Sequence, residues 1–417
     1  MATELKNRKL GGNNSSEESL AQDISAIPPL AIDDDEPMDD LEVDPEDDGA
    51  SFELPPRTIA ARTVFHQPRS DNDTMNSTRS LYDTDVVYLM IHGRRYCKDY
   101  YMPNDEEEQT RTQILHDVFL YLFDKKLTTV PLRDPQKILD IGTGTGEWAM
   151  AMGDEYPEAE VIGTDIAKIQ PSAVPLNVFF EIDDAEEEGG WTWAEDEFDL
   201  IHFRSMAGAF KSWEYIYREA YRHLKPGGWI EVIDFDDHRT FLSYFPDDSG
   251  VKGWLADIGE ASKISGRSRS SAHLEKKSLE DLGYIDVKTK SRTIPFGIWP
   301  EDPEAQQIGK HFLVAQLCGI EALCLRPLTE TLGWDPVEVR RMCDIVTNGV
   351  RAIALDAEGA KGLGVKVKVL VGRKPGGDAE DENEDEDDDA DQGDDADQDD
   401  DTDQDDTRMD VNGEETV

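Results

Sequence analysis

The feature that most constrains this chain is a short apolar run that breaks into glycine: residues 137–148 read KILDIGTGTGEW. Ile138, Leu139 and Ile141 suit a buried strand, and Gly142, Gly144 and Gly146 follow at alternate positions. Glycine reaches positive φ and lets a ligand approach the backbone without meeting a Cβ. The stretch is therefore either a plain strand-to-helix turn or a turn shaped around a bound nucleotide. What surrounds it decides.

From residue 135 the pattern alternates. After KILDIG and the helical GEWAMAMGDEY come strands EVIGTDIA (160–167), VFFEIDDAE (178–186) and FDLIHFRSM (198–206). SWEYIYREAYRHL (212–224) is a helix that Ser212 caps, with Trp213, Ile216, Tyr217, Ala220 and Leu224 on one face. KPGG then turns the chain into the strand GWIEVIDF (228–235). Strands separated by helices predict parallel βαβ units with right-handed crossovers, hence an α/β, doubly wound, mostly parallel sheet with helices on both faces. Residues 236–275 read as a helical insertion and IDVKTKSRTI (285–294) as a strand. DPVEVRRMCDIVTNGV reads as a helix capped by Asp335 with Pro336 at its first position, and VKVKVLVGRKP (365–375) as the closing strand. Residues 80–127, with HDVFLYLFDKKL, are expected to form helices ahead of the sheet. The predicted organisation is an acidic segment over 1–56, a helical or lid segment over 57–134, the main domain over 135–375 and an acidic tail over 376–417.

Charge supports those bounds. Residues 1–56 carry sixteen Asp/Glu against three Lys/Arg, and residues 378–417 carry twenty-three against Arg408 alone. Such ends cannot bury enough apolar surface to offset chain entropy, and both are read as disordered. They serve either solubility or docking to basic protein partners. A net charge of −50 with no basic stripe argues against direct binding of nucleic acid. Cys97, Cys318, Cys324 and Cys343 have neither CxxC nor metal-ligand spacing, so no metal site or disulfide framework is expected, and Cys343 reads as core. No membrane span is expected, and the polar N-terminus is unlike a signal peptide. The predicted setting is intracellular, in cytoplasm or nucleus, since KNRK (6–9) is too short for a localisation signal.

Three nucleotide loops compete for GTGTGEW. A P-loop needs a terminal Gly-Lys-Ser/Thr where this chain has Glu147-Trp148. A dinucleotide fingerprint needs glycine at 147, and a pyrophosphate would be repelled by Glu147. The S-adenosylmethionine loop D-x-G-x-G-x-G is met by Asp140, Gly142, Gly144 and Gly146, and a cofactor bearing ammonium and sulfonium groups welcomes Glu147. Asp165 ends the second strand, where its carboxylate suits ribose hydroxyls or a helix cap. Asp183 and Asp184 end the third, either as a solvated strand end or with one of them, preferably Asp183, facing the adenine amino group.

The blocks ILDIGTGTGEWA, GTDIA, FEIDDAEE, FDLIHFRSMAG and YRHLKPGGWIEVIDF occur in an order that resembles the LaeA-like fungal methyltransferases. HGRRYCKDYYMPNDEEEQTRTQILH (92–116) and GRKP (372–375) extend the resemblance over residues 80–375. It implies a Rossmann-like class I fold, S-adenosyl-L-methionine as cofactor, and Gly142, Gly144, Gly146, Asp165 and Asp183 as cofactor residues. It implies also that the 92–116 block covers the site, and that the protein acts in or regulates secondary metabolism. DAEGAKGLGVKV (356–367) departs from the stretch that the family carries before its last strand.

Methyl transfer from a sulfonium is chiefly a matter of alignment, with a general base needed where the acceptor is a hydroxyl or a protonated amine. His202 stands as either the catalytic group or a histidine satisfied within the core, and Arg204, two residues on, either holds the cofactor carboxylate or pairs with Glu147. His92, Arg94 and Tyr96 form either part of a lid or ordinary packing, while Trp148, Trp213 and Trp229 read as core. The expected function is an S-adenosylmethionine-dependent methyltransferase acting on a small-molecule or protein acceptor. The alternatives are a regulatory scaffold that keeps the fold and, less well supported, an NAD-dependent oxidoreductase.

Overall fold

Chain order reverses at the middle of the sheet, and that reversal positions everything else. The computed structural model describes residues 86–376, apart from Asp99, Asp237 and His238. The acidic stretches 1–56 and 378–417 and the KNRK patch lie outside the described residues. A hairpin of β1 (Tyr88–Ile91) and β2 (Arg94–Cys97) is followed by α1 (Glu106–Leu122). Then come β3 (Lys137–Ile141), α2 (Glu147–Glu155), β4 (Glu160–Asp165), β5 (Val178–Ile182), β6 (Phe198–Arg204), α3 (Trp213–His223) and β7 (Leu224–Phe235). The insertion holds α4 (Arg239–Ser243), α5 (Val251–Ser265) and a 3₁₀ turn (Ser271–Leu274). It leads to α6 (Lys276–Glu280), β8 (Ile285–Pro295), α7 (Pro303–Arg326), α8 (Pro336–Ala354) and β9 (Gly364–Arg373). The seven-stranded sheet runs β5-β4-β3-β6-β7-β9-β8, its first five strands parallel and β9 antiparallel to both neighbours.

The sheet is doubly wound because its central strands are apolar on both faces. On one face α3 buries Ile216, Tyr217 and Ala220 with Leu139, Ile201 and Ile230. On the other, Trp148 and Met152 of α2 pack with Ile138, Val161 and Leu200. A third cluster joins Phe119, Trp254, Phe312 and Val346 from four helices to Val367 and Val369 of β9. Each such side chain contributes roughly 1.5–3 kcal/mol by burial. Ser212 caps α3 by accepting from Tyr215 N at 3.2 Å, and Asp335 caps α8 by accepting from Val337 N at 2.8 Å.

Three expectations need correction. The region 80–127 is not wholly helical: His92 and Gly93, at φ +50° and +89°, make a two-residue turn whose twist matches that of paired strands. A helix long and apolar enough to cross a membrane does exist, at Pro303–Thr331; over half of it is buried inside the fold, where α7 packs with α1 and α8. KPGG, expected as a turn, forms the irregular start of β7, with the register to β6 shifting between Phe198 and Leu200.

Candidate active site

The strand order reverses between β3 and β6, so their carboxyl ends open onto a crevice. A cavity of about 360 Å³ fills it. Its floor is the glycine loop, with Gly142, Gly144 and Gly146 at φ +73°, +59° and +89°. The backbone of the loop is clamped to β4: Gly142 N and Thr143 N donate to Thr164 O at 2.8 and 2.9 Å. Gly144 N donates to Asp165 Oδ2 at 3.0 Å, while Asp165 Oδ1 accepts from Ala167 N at 2.9 Å. Gln170 Nε2 donates to Gly144 O at 2.7 Å and to Ala167 O at 3.0 Å, tying loop to strand end.

The three glycines differ in what they leave room for. A Cβ at Gly142 would strike the Met206 thioether, and one at Gly146 the Phe180 ring, so those two are packing positions. At Gly144 a Cβ would meet nothing within 4 Å, in a residue that lines the cavity.

Asp140, Glu147, Asp165, Asp183, Asp184 and Arg204 all line the cavity. Burial pushes Asp165 up to about 6, against hydrogen bonds from Ala167 and Gly144 that favour its charge. Burial likewise pushes Asp183 up to about 6, with repulsion from Glu181, Glu187 and Asp184 adding to it. No cation pairs with Asp183 among the described residues, whereas Asp184 meets Lys98 Nζ at 3.3 Å and accepts from Glu186 N at 3.1 Å. Glu147, at the start of α2, accepts from the Thr145 hydroxyl.

Arg204 forms no ion pair among the described residues, with Glu147 or any other acid. Its Nη2 donates to His116 Nδ1 at 3.0 Å, and its guanidinium lies 5.2 Å from the centre of the Phe119 ring. An arginine cannot accept, so His116 carries its proton on Nε2 and is neutral there; burial, then Arg204, pushes its pKa down to about 3. The guanidinium thus stands half-buried at the cavity wall with a neutral partner.

His202, expected as the catalytic candidate, is a core residue. It is fully buried and does not line the cavity. Its Nδ1 donates to Asp140 Oδ1 at 2.8 Å, its ring stacks on Trp148 at 3.7 Å, and its Nε2 lies 4.0 Å from Glu231 Oε2. Asp140 Oδ2 accepts from Thr143 Oγ1 at 2.7 Å. His202 therefore supports the loop from beneath: β6 side chains alternate, and its position points toward α2 rather than to the open strand end. Asp140 lines the cavity, yet its two oxygens are spent on this scaffold.

The 92–116 block reaches the cavity through its middle and end, not through the three residues weighed as part of a lid. Arg94, paired with Asp105 at 2.7 Å, and Tyr96, fully buried, are packing residues outside the cavity, as is His92 in the hairpin turn. Tyr100, Tyr101, Met102 and Asn104 line it instead, held by Cys97 Sγ donating to Ile166 O at 3.0 Å and Tyr101 OH donating to Ala207 O at 2.9 Å. Sequence reading missed Gln170 and Arg269, and it placed His116 only as the last residue of the 92–116 block. Gln170 sits in a segment without a distinguishing pattern, and Arg269 lies in the insertion, where no motif marks it.

Comparison with known proteins gives the family. The profile of the Methyltransferase domain family matches residues 114–286. Methyltransferase pytC of Aspergillus terreus is 36% identical over 296 residues, covering 68% of this chain and 87% of that protein. The secondary metabolism regulator LAE1 of Cochliobolus heterostrophus is 37% identical, covering 57% of this chain and 78% of its own. The protein-methionine methyltransferase laeA of Emericella nidulans is 30% identical, covering 58% and 65% respectively.

Proposed function

We propose, from the premise that this chain belongs to the LaeA-like fungal S-adenosylmethionine-dependent methyltransferases, that the cavity holds cofactor and methyl acceptor together. The protein is a methyltransferase, and S-adenosylmethionine is its cofactor. Our reading assigns the ribose to Asp165, the adenine amino group to Asp183 and the cofactor carboxylate to Arg204. Gly142, Gly144 and Glu147 line its methionyl half, and Gly146, expected as a cofactor residue, acts through packing of the loop against Phe180.

The observation that carries the reading is the bare face of Gly144. It opens on empty space beside two half-buried carboxyls, a combination that suits a cationic, phosphate-free nucleoside and repels a pyrophosphate. Arg204, half-buried against neutral His116 and the Phe119 ring, is suited to a carboxylate. The bound cofactor supplies an electrophilic methyl group on a leaving group that is already activated. The chain's own work is alignment: the clamped loop fixes the donor, and the aromatic lid excludes water and orients the acceptor, which can be worth several kcal/mol.

Two relatives are named as regulators of secondary metabolism or protein-methionine methyltransferase and one simply as a methyltransferase, so we read the acceptor as a secondary metabolite or a protein that governs its synthesis. We read the setting as intracellular. Calorimetry with S-adenosylhomocysteine is expected to give micromolar affinity, and absence of heat with folded protein would end the reading. Radiolabelled methyl transfer into fungal extract, divided between protein and small-molecule fractions, then identifies the acceptor class.

A further inference from the structure

We propose that the acceptor side of the cavity carries a carboxylate-binding subsite centred on Arg269, so that the acceptor is an organic acid. The inference rests on reading the cavity as the methyl-transfer site. In a chain of net charge −50, a pocket of about 220 Å³ is lined by Lys211, Arg267, Arg269 and Arg326, with Glu330 its one acid. It adjoins the large cavity, since Tyr101, Arg267 and Arg269 line both.

Two of the four cations are already engaged. Arg326 meets Glu330 at 2.7 Å and donates to Lys98 O and Tyr100 O at 2.8 Å each, and Arg267 meets Glu186 at 2.9 Å. Arg269 and Lys211 form no ion pair among the described residues. The Arg269 guanidinium lies 4.8 Å from the centre of the Tyr101 ring, and its Nη1 is buried with no hydrogen-bond partner. Its backbone is held where Ser262 Oγ accepts from Arg269 N at 3.0 Å, and Gly208 leaves room for its stem.

A buried N–H without an acceptor is costly, and such groups persist where a ligand completes them. The planar fork of arginine matches a carboxylate in bidentate fashion, and Tyr101 beneath it offers a flat surface to the rest of the acid. A carboxylate seated in the small pocket would direct the remainder of the molecule past Tyr101 into the large cavity, toward the glycine loop.

The test uses the full chain saturated with S-adenosylhomocysteine and compares 4-hydroxybenzoate with its neutral isostere 4-hydroxybenzamide by ligand-detected NMR titration. The acid is expected to bind about tenfold or more tightly than the amide, as one charge-assisted contact allows. Arg269→Met should erase that preference and Arg269→Lys restore part of it, with cofactor affinity as the folding check. Equal binding of acid and amide, no binding of the acid, or a preference that survives in Arg269→Met would each overturn the subsite. Failure of the wild-type chain to bind the cofactor would instead overturn the reading of the cavity itself.

Discussion

Gly144 and Gly146 look alike in the sequence and do different work. At Gly146 a methyl group meets both an unfavourable backbone, φ +89°, and the Phe180 ring. Gly146→Ala should therefore destabilise the fold by roughly 2 kcal/mol or more, read from denaturant unfolding. At Gly144 the space is open, so Gly144→Val carries chiefly the backbone cost of about 1–2 kcal/mol. The expected result is a folded protein whose cofactor affinity by calorimetry falls at least tenfold, because the side chain stands in the cavity. The D-x-G-x-G-x-G spacing made the loop legible, but not which glycine serves packing, since Phe180 comes from a strand two positions away in the sheet. His202 was legible only as a pair of alternatives. Strand alternation cannot say that Trp148 lies over it and that Asp140 and Glu231 flank it. Removing it leaves the buried Asp140 Oδ1 without its partner, so His202→Ala should cost on the order of 3 kcal/mol of stability. A catalytic base would lower turnover while leaving the unfolding midpoint unchanged, and that outcome would restore the discarded role.

At the scale of elements, the carboxyl ends of β4 and β5 form one titrating rim. Asp165 and Asp183 both stand near 6 in the folded chain, against an ordinary value of 3.8. Between about pH 4 and pH 6 the folded state therefore holds more protons than the unfolded state, and without cofactor stability falls as pH rises through that window, then levels off. Hydroxyl and amino donors on the cofactor favour the charged carboxylates, so binding should release protons and affinity should rise from pH 5 to pH 7. Calorimetry at pH 6 in buffers of different ionisation enthalpy measures that release. A flat profile, or one unchanged in Asp183→Asn, would remove Asp183 from the site. The strands bearing these acids were legible because apolar runs ending in polar residues recur with helices between them. The N-terminal hairpin was not: each of its strands has four residues, too few for period-two alternation to register, and its turn is His-Gly rather than Asn-Gly. The same shortness left His92, Arg94 and Tyr96 open between lid and packing, which the hairpin settles as packing.

For the whole molecule, the cavity is the meeting place of three parts distant in sequence: the lid after β2, the glycine loop with its strand ends, and the helical insertion that brings Trp254 and Arg269. The lid is fastened by Cys97 to Ile166 O, Tyr101 to Ala207 O and the half-exposed pair Lys98–Asp184, and to α7 by Arg326 donating to Lys98 O and Tyr100 O. An irregular segment held at these few points opens at lower free energy than the sheet beneath it. A ligand bound under it adds contacts that exist only when it is closed, and at a hundredfold excess over Kd contributes about 2.7 kcal/mol. Hydrogen exchange with S-adenosylhomocysteine should therefore slow most in residues 100–104 and 142–147, less in the strand ends, and hardly at all in α8, which does little more than back the cavity with Val350. Lys98→Met should speed exchange in the lid without cofactor and raise the cofactor dissociation rate several-fold, while high salt does the same to the wild type by screening the pair. Uniform slowing across the described residues would mean that the lid and the sheet open as one unit, and that the lid is a fixed wall of the site.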